Sequence, residues 1–135
     1  CALGISQMKK LDCFLEKRRI LAERYHKALA DCPDIILPFQ AEGTNSGWHL
    51  YMIQVINHDR REVFEKLQKS GIGVNVHYIP VYHHPYYQKN GYKGTICENA
   101  EELYRHMISL PLYPTLTEKE QERVILCVKE ACARD

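Results

Sequence analysis

Residues 48 to 77 read as strand, helix, strand with connections of only a few residues, and this arrangement restricts the fold more than any other stretch. The run WHLYMIQVI, Trp48 to Ile56, is aromatic, β-branched and apolar on both alternating faces, which predicts a strand covered on two sides. Asp59 with Glu62 three residues later resembles a helix capping box. Val63, Phe64 and Leu67 then supply one apolar face, and Gly71 stops the helix. Ile72, Val74 and Val76 alternate with Gly73, Asn75 and His77 as a second strand. Such a unit lays two strands in one sheet under a crossover helix, and it leaves open whether a third strand lies between them.

Around this unit the remaining periodicities place helices and short extended pieces. Ala2, Leu3, Ile5, Met8, Leu11, Leu15, Ala22, Tyr25 and Leu29 recur at spacings near three and four, the pattern of one long amphipathic helix from the first residue. That helix begins at Cys1-Ala2-Leu3 with no Ser, Thr, Asp or Asn cap, so its true start and a preceding domain are expected outside these residues. Pro33 breaks the pattern, Ile35 to Leu37 suit a short strand, and EGTNSG, Glu42 to Gly47, is a turn by composition. Trp48 and Tyr51 read as core aromatics. Glu98 to Met107 suits a short helix with Ala100, Leu103 and Met107 on one face, and SLPLYP, Ser109 to Pro114, an extended piece held open by prolines. Thr117 and Glu120 form a capping box ahead of a helix with Val124, Ile125, Val128 and Cys132 on its face. The fold class is α+β, in one domain spanning residues 1–135.

Composition narrows the partners. Lys and Arg (18) nearly balance Asp and Glu (17), and no basic stripe carries interleaved aromatics, which argues against nucleic acid. The densest basic stretch, Lys9 to Arg19, has helical spacing and reads as a solvated helix face. No uncharged run is long enough to span a membrane. The six cysteines are scattered without a C-x-x-C pair, which suits a reducing cytoplasmic setting.

The stretch VNVHYIPVYHHPYY, Val74 to Tyr87, opens a loop whose Pro80, Pro85, Gly91 and Gly94 exclude regular structure, apart from one helical turn at Pro85 to Lys89. A loop of this length is more often functional than neutral, and its aromatic content argues against disorder. His77, His83 and His84, with His49 from the neighbouring strand, raise the question of zinc. Adjacent His83 and His84 diverge on extended backbone and no carboxylate or thiolate stands in the loop, so no metal is assigned. His77 sits where a strand opens into a loop, a common place for functional groups, but a packed and satisfied histidine is the commoner explanation of such a residue. Neither a glycine-rich phosphate loop nor a nucleophile elbow occurs. The residues by themselves reach an α+β domain with one unusual loop.

The blocks CALGISQMKKLDCFLEKRR, WHLYMIQV, LQKSGIGVNVHYIPVY, CENAEE and SLPLYPTLTEKEQERV follow one another over nearly the whole chain. In that order they resemble the C-terminal part of the DegT/DnrJ/StrS-type sugar aminotransferases, pyridoxal-phosphate enzymes that aminate nucleotide-linked keto-sugars. The narrower likeness is to enzymes aminating C4 of a UDP-linked 4-keto-6-deoxy sugar, of the pseudaminic-acid type.

The resemblance implies the small C-terminal domain of a fold-type I aminotransferase, a small sheet packed by helices with a long N-terminal helix. It implies a cytoplasmic homodimer that takes a nucleotide-sugar and an amino-acid donor, glutamate, and serves surface polysaccharide or glycan biosynthesis. The Schiff-base lysine and most phosphate contacts would lie in a larger domain outside these residues, leaving this piece inactive alone. The family pattern H-Y-x-P-x-H is matched by His77, Tyr78 and Pro80, with Tyr82 where the pattern has its second histidine and His83 and His84 following. By that match His77, Tyr78, Tyr82 and His83 face substrate or cofactor, while His84 is assigned no role. The other class of reading is a stand-alone sugar- or metal-binding module without catalysis.

Overall fold

The computed structural model describes residues 1–133. The strand expected from Trp48 forms over Tyr51–Val55 (β2). Trp48 itself adopts φ +45°, with its N–H donating to Ser46 Oγ at 3.1 Å, so the chain is still turning three residues before the ladder begins. Tyr51, Ile53 and Val55 are completely buried, whereas Met52 and Gln54 are half-buried; one face is closed and the other only partly covered.

The third strand left open by the sequence does exist. Met107–Leu110 (β3) pairs antiparallel with β2, setting Tyr51 opposite Leu110, Met52 opposite Ser109 and Ile53 opposite Ile108. On the other edge of β2 lies Ile35–Ile36 (β1), also antiparallel, with Ile35 opposite Val55. Residues 72–76 run along the free edge of β3 but, among the described residues, share backbone hydrogen bonds with it only at the Asn75–Ser109 pair. The expected second strand is thus reduced to a bridge. The Val74 N–H turns back to the Ile72 carbonyl at 3.0 Å, a three-residue turn that bends the backbone away from the extended course a ladder would need. Ile72 and Val74 still bury their side chains as the alternation predicts.

Helices cover the closed face. The long first helix is broken into Ala2–Met8 (α1) and Leu11–Leu29 (α2). The break falls at Lys9 and Lys10, where the Lys10 backbone leaves helical values (φ −106°, ψ −2°). No residue of α1 is buried, so no packed neighbour holds it in line with α2. Leu21, Ala22, Tyr25 and Leu29 of α2 join Val63 and Leu67 of Arg60–Lys69 (α3) and Val124, Ile125 and Val128 of Glu118–Ala131 (α6) in one core with β2 and β3. Asp59 caps α3 by accepting from the Arg61 and Glu62 N–H groups at 2.7 and 3.1 Å. At the far end Gly71 takes φ +76° while the Ile72 N–H reaches back to the Leu67 carbonyl, a glycine-terminated helix. The capping box of α6 forms in full between Thr117 and Glu120.

Glu98–His106 (α5) is one residue shorter than expected. Met107 switches to extended backbone (φ −74°, ψ 139°) and starts β3 with no intervening loop, because its side chain is needed in the sheet. No helix is long and apolar enough to cross a membrane among the described residues.

Candidate functional site

The half-covered face of the sheet leads to the loop. Alternation along β3 puts Ile108 and Leu110 in the closed core and turns Met107 and Ser109 to the opposite side, next to Gln54 and Met52. Asn75 and Ser109 exchange both backbone bonds (2.8 and 3.2 Å), fixing the segment that carries His77. Ser109 is buried, and its Oγ lies 2.9 Å from His77 Nδ1. The His77–Tyr78 peptide is cis, the two rings meet edge to face with centroids 4.8 Å apart, and the Tyr78 ring is 70% exposed.

Beyond Tyr78 the prolines shape the loop as the composition predicts. A 3-10 turn spans Val81–His83, and Pro85 occupies the first turn of the short helix Pro85–Lys89 (α4), the expected helical turn. Tyr86 packs on Tyr87 and Tyr87 on Tyr92 at 5.3 and 5.6 Å, so the loop packs against its own aromatic rings. Tyr82 turns inward. Its hydroxyl donates to Glu101 Oε1 at 2.7 Å and accepts from the Cys97 N–H at 3.2 Å, while its carbonyl accepts from the Gln88 side chain. His83 Nε2 reaches the same Glu101 oxygen at 2.6 Å. The Tyr82 hydroxyl, helped by His83, holds the Glu101 carboxyl below the usual carboxylate range against a desolvation that pushes it up. Burial and the facing carboxylate push the Tyr82 phenol up.

The four residues singled out from sequence therefore gather as two pairs. His77 and Tyr78 stand at the end of the bridged segment, Tyr82 and His83 on Glu101 of α5. His84 and His49 are exposed, and among the described residues no three His, Cys, Asp or Glu side chains could hold a metal ion. Sequence reasoning passed over Ser109 and Glu101. Ser109 was hidden in an apolar strand, whereas Glu101 lies in the acidic block CENAEE, whose charge was visible but whose partners were eighteen and more residues away.

These groups do not make a cradle for pyridoxal phosphate. Every lysine is exposed, and no buried amine faces the loop. What they can supply is one edge: an imidazole held from behind by a buried hydroxyl, and beside it an exposed phenol ring.

The sheet, its three covering helices and the loop build the small α+β domain of fold-type I aminotransferases. Helicobacter pylori PseC, an aminotransferase involved in the biosynthesis of pseudoaminic acid, superposes with a TM-score of 0.88 at 29% identity, over 96% of this chain and 36% of that one. Residues 1–129 match the model of the DegT/DnrJ/EryC1/StrS aminotransferase family, and the chain belongs to that family. It is 39% identical to the spore coat polysaccharide biosynthesis protein SpsC of Bacillus subtilis, over 96% of this chain and 35% of SpsC. It is 37% identical to the UDP-4-amino-4,6-dideoxy-N-acetyl-beta-L-altrosamine transaminase of Campylobacter jejuni, over 92% and 34%. The chain spans about a third of the length of the curated relatives it matches.

Proposed function

We propose that these residues form the C-terminal small domain of a pyridoxal-phosphate-dependent transaminase that aminates a nucleotide-linked keto-deoxy sugar at C4, with glutamate as donor, for surface glycan synthesis. The observation that carries this reading is the 37% identity to a transaminase of a UDP-linked 4-amino-4,6-dideoxy sugar, in a chain that holds His77 on the buried Ser109 with Tyr78 exposed beside it. The cofactor, when bound by a larger domain bearing the Schiff-base lysine, supplies the electron sink for amino transfer. This chain's own residues shape and orient. His77, backed by Ser109, offers its outer nitrogen to a sugar or phosphate oxygen, and the Tyr78 ring gives an apolar platform with a hydroxyl tip. Tyr82 and His83 complete the wall through Glu101, which ties the loop to α5.

In a homodimer loaded with pyridoxal phosphate, glutamate should shift the cofactor absorbance and a UDP-linked 4-keto-6-deoxy sugar should restore it. Tyr78→Ala should raise the sugar KM without changing the glutamate half-reaction. Absence of both spectral changes, together with stoichiometric zinc on the purified protein, would instead favour a binding module.

A further inference from the structure

Ser109 is the one polar side chain in β3, and it is 4% exposed. A buried hydroxyl in an apolar strand is costly unless its proton is placed. Among the described residues its only side-chain hydrogen-bond partner is His77 Nδ1, at 2.9 Å. A neutral imidazole carries its proton on one nitrogen and a lone pair on the other. If Nδ1 carried the proton it would donate to Oγ, and the serine proton would be left with no acceptor in an apolar strand. If Nδ1 carries the lone pair, the serine O–H donates to it and both groups are satisfied; the outer Nε2 then bears the N–H.

We infer that Ser109 is a positioning residue: by donating to Nδ1 it fixes His77 as the Nε2–H tautomer and makes the outer face of the ring a hydrogen-bond donor, not a base. The matching ligand group is an accepting oxygen, such as that of a sugar carbonyl, a sugar hydroxyl or a phosphate. The Asn75–Ser109 backbone pair holds donor and ring in register, and the Tyr78 ring meets the imidazole edge to face at 4.8 Å. The tautomer follows from hydrogen-bond geometry alone; the identity of the oxygen rests on the proposed transaminase reading.

The tautomer is read directly from long-range 15N–1H correlations of the intact protein labelled at histidine, independently of activity. The expected wild-type result is a proton on Nε2 of His77, with both tautomers appearing in Ser109→Ala and the single form restored in Ser109→Thr. A proton on Nδ1 in the wild type, or an unchanged pattern in Ser109→Ala, overturns the inference. In the transaminase assay Ser109→Ala should raise the sugar KM by about 3- to 10-fold, the worth of one hydrogen bond, with the glutamate half-reaction intact. His77→Gln, whose amide can donate from nearly the Nε2 position, should retain more activity than His77→Asn. If Ser109→Ala lowers only thermal stability while KM and tautomer hold, Ser109 is merely structural. If the tautomer behaves as inferred but His77→Gln and His77→Asn leave turnover untouched, the tautomer stands and the contact of His77 with substrate is overturned; if the wild type shows the tautomer but no amino transfer, it is the transaminase reading that fails.

Discussion

The two faces of the sheet are made from alternating residues of the same two strands, yet they are finished in different ways. Tyr51, Ile53, Val55, Ile108 and Leu110 point into a continuous apolar core closed by α2, α3 and α6. Met52, Gln54, Met107 and Ser109 point the other way, toward a side where the Ser109 hydroxyl meets the His77 imidazole at 2.9 Å. The closed face draws mainly on removing apolar surface from water, which is non-directional and tolerant of small shifts, with buried bonds from Tyr25 to the Pro111 carbonyl and from Gln121 to the Leu21 carbonyl set into it. The loop side is held by a few directional bonds, each with one donor and one acceptor, so it is locally weaker but sets the orientation of individual groups. Core and candidate site thus share strands while relying on different physics.

This contrast can be broken most severely from the closed side. Ile53 is fully buried at the centre of β2, and Ile53→Ala should cost about 2 to 5 kcal/mol of folding stability, read as a lowered denaturation midpoint. A retained midpoint would mean that the core collapses around the gap. Removing the cap of α6 by Thr117→Ala should cost about 1 kcal/mol, because the Glu120 N–H loses its acceptor.

On the loop side Glu101→Gln should leave the global midpoint nearly in place while raising protease cleavage and amide exchange across residues 78–97. An acid titration of the same cleavage should sharpen the point. The Glu101 carboxyl lies below its ordinary range in the folded chain, so its contribution is present at neutral pH and is lost as the pH falls through that lowered value. The Tyr82 phenol is pushed up, so its contribution is complete below the ordinary phenol range and is lost as the pH rises beyond it. The loop is therefore expected to be best protected between these limits, and protection that is flat with pH would show that Glu101 does not hold it. The smallest effect belongs to α1. Leu3 is 76% exposed, and Leu3→Ala should change the stability of the chain by no more than about 0.5 kcal/mol.

How far the candidate site could be read from sequence follows from the range of its interactions. The helical turn at Pro85 was legible because a proline at a first helical position acts locally, through its own fixed φ. The pairing of Tyr82 with Glu101 was not, because a phenol near a loop proline is compatible with either an outward or an inward ring. Only α5, packed beside the sheet, brings the carboxylate that draws it in. Nor could the strand expected at Ile72 to Val76 be judged from its alternation. Burial of Ile72 and Val74 obeys that pattern while a three-residue turn from Ile72 to Val74 bends the backbone off the ladder.

The sequence by itself determined what depends on neighbouring residues: the periodic faces of α2, α3 and α6, the caps at Asp59 and Thr117, the stop at Gly71, and the ordered blocks that mark the family. Tertiary structure decided what depends on residues far apart. It inserted β3 between β2 and the bridged segment, broke the first helix where nothing packs against it, and set the Ser109 hydroxyl behind His77, thirty-two residues away. The physical reason is one of range. Propensity and capping act within a turn or two of chain, whereas a hydrogen bond between buried side chains exists only once a sheet has fixed both partners in place.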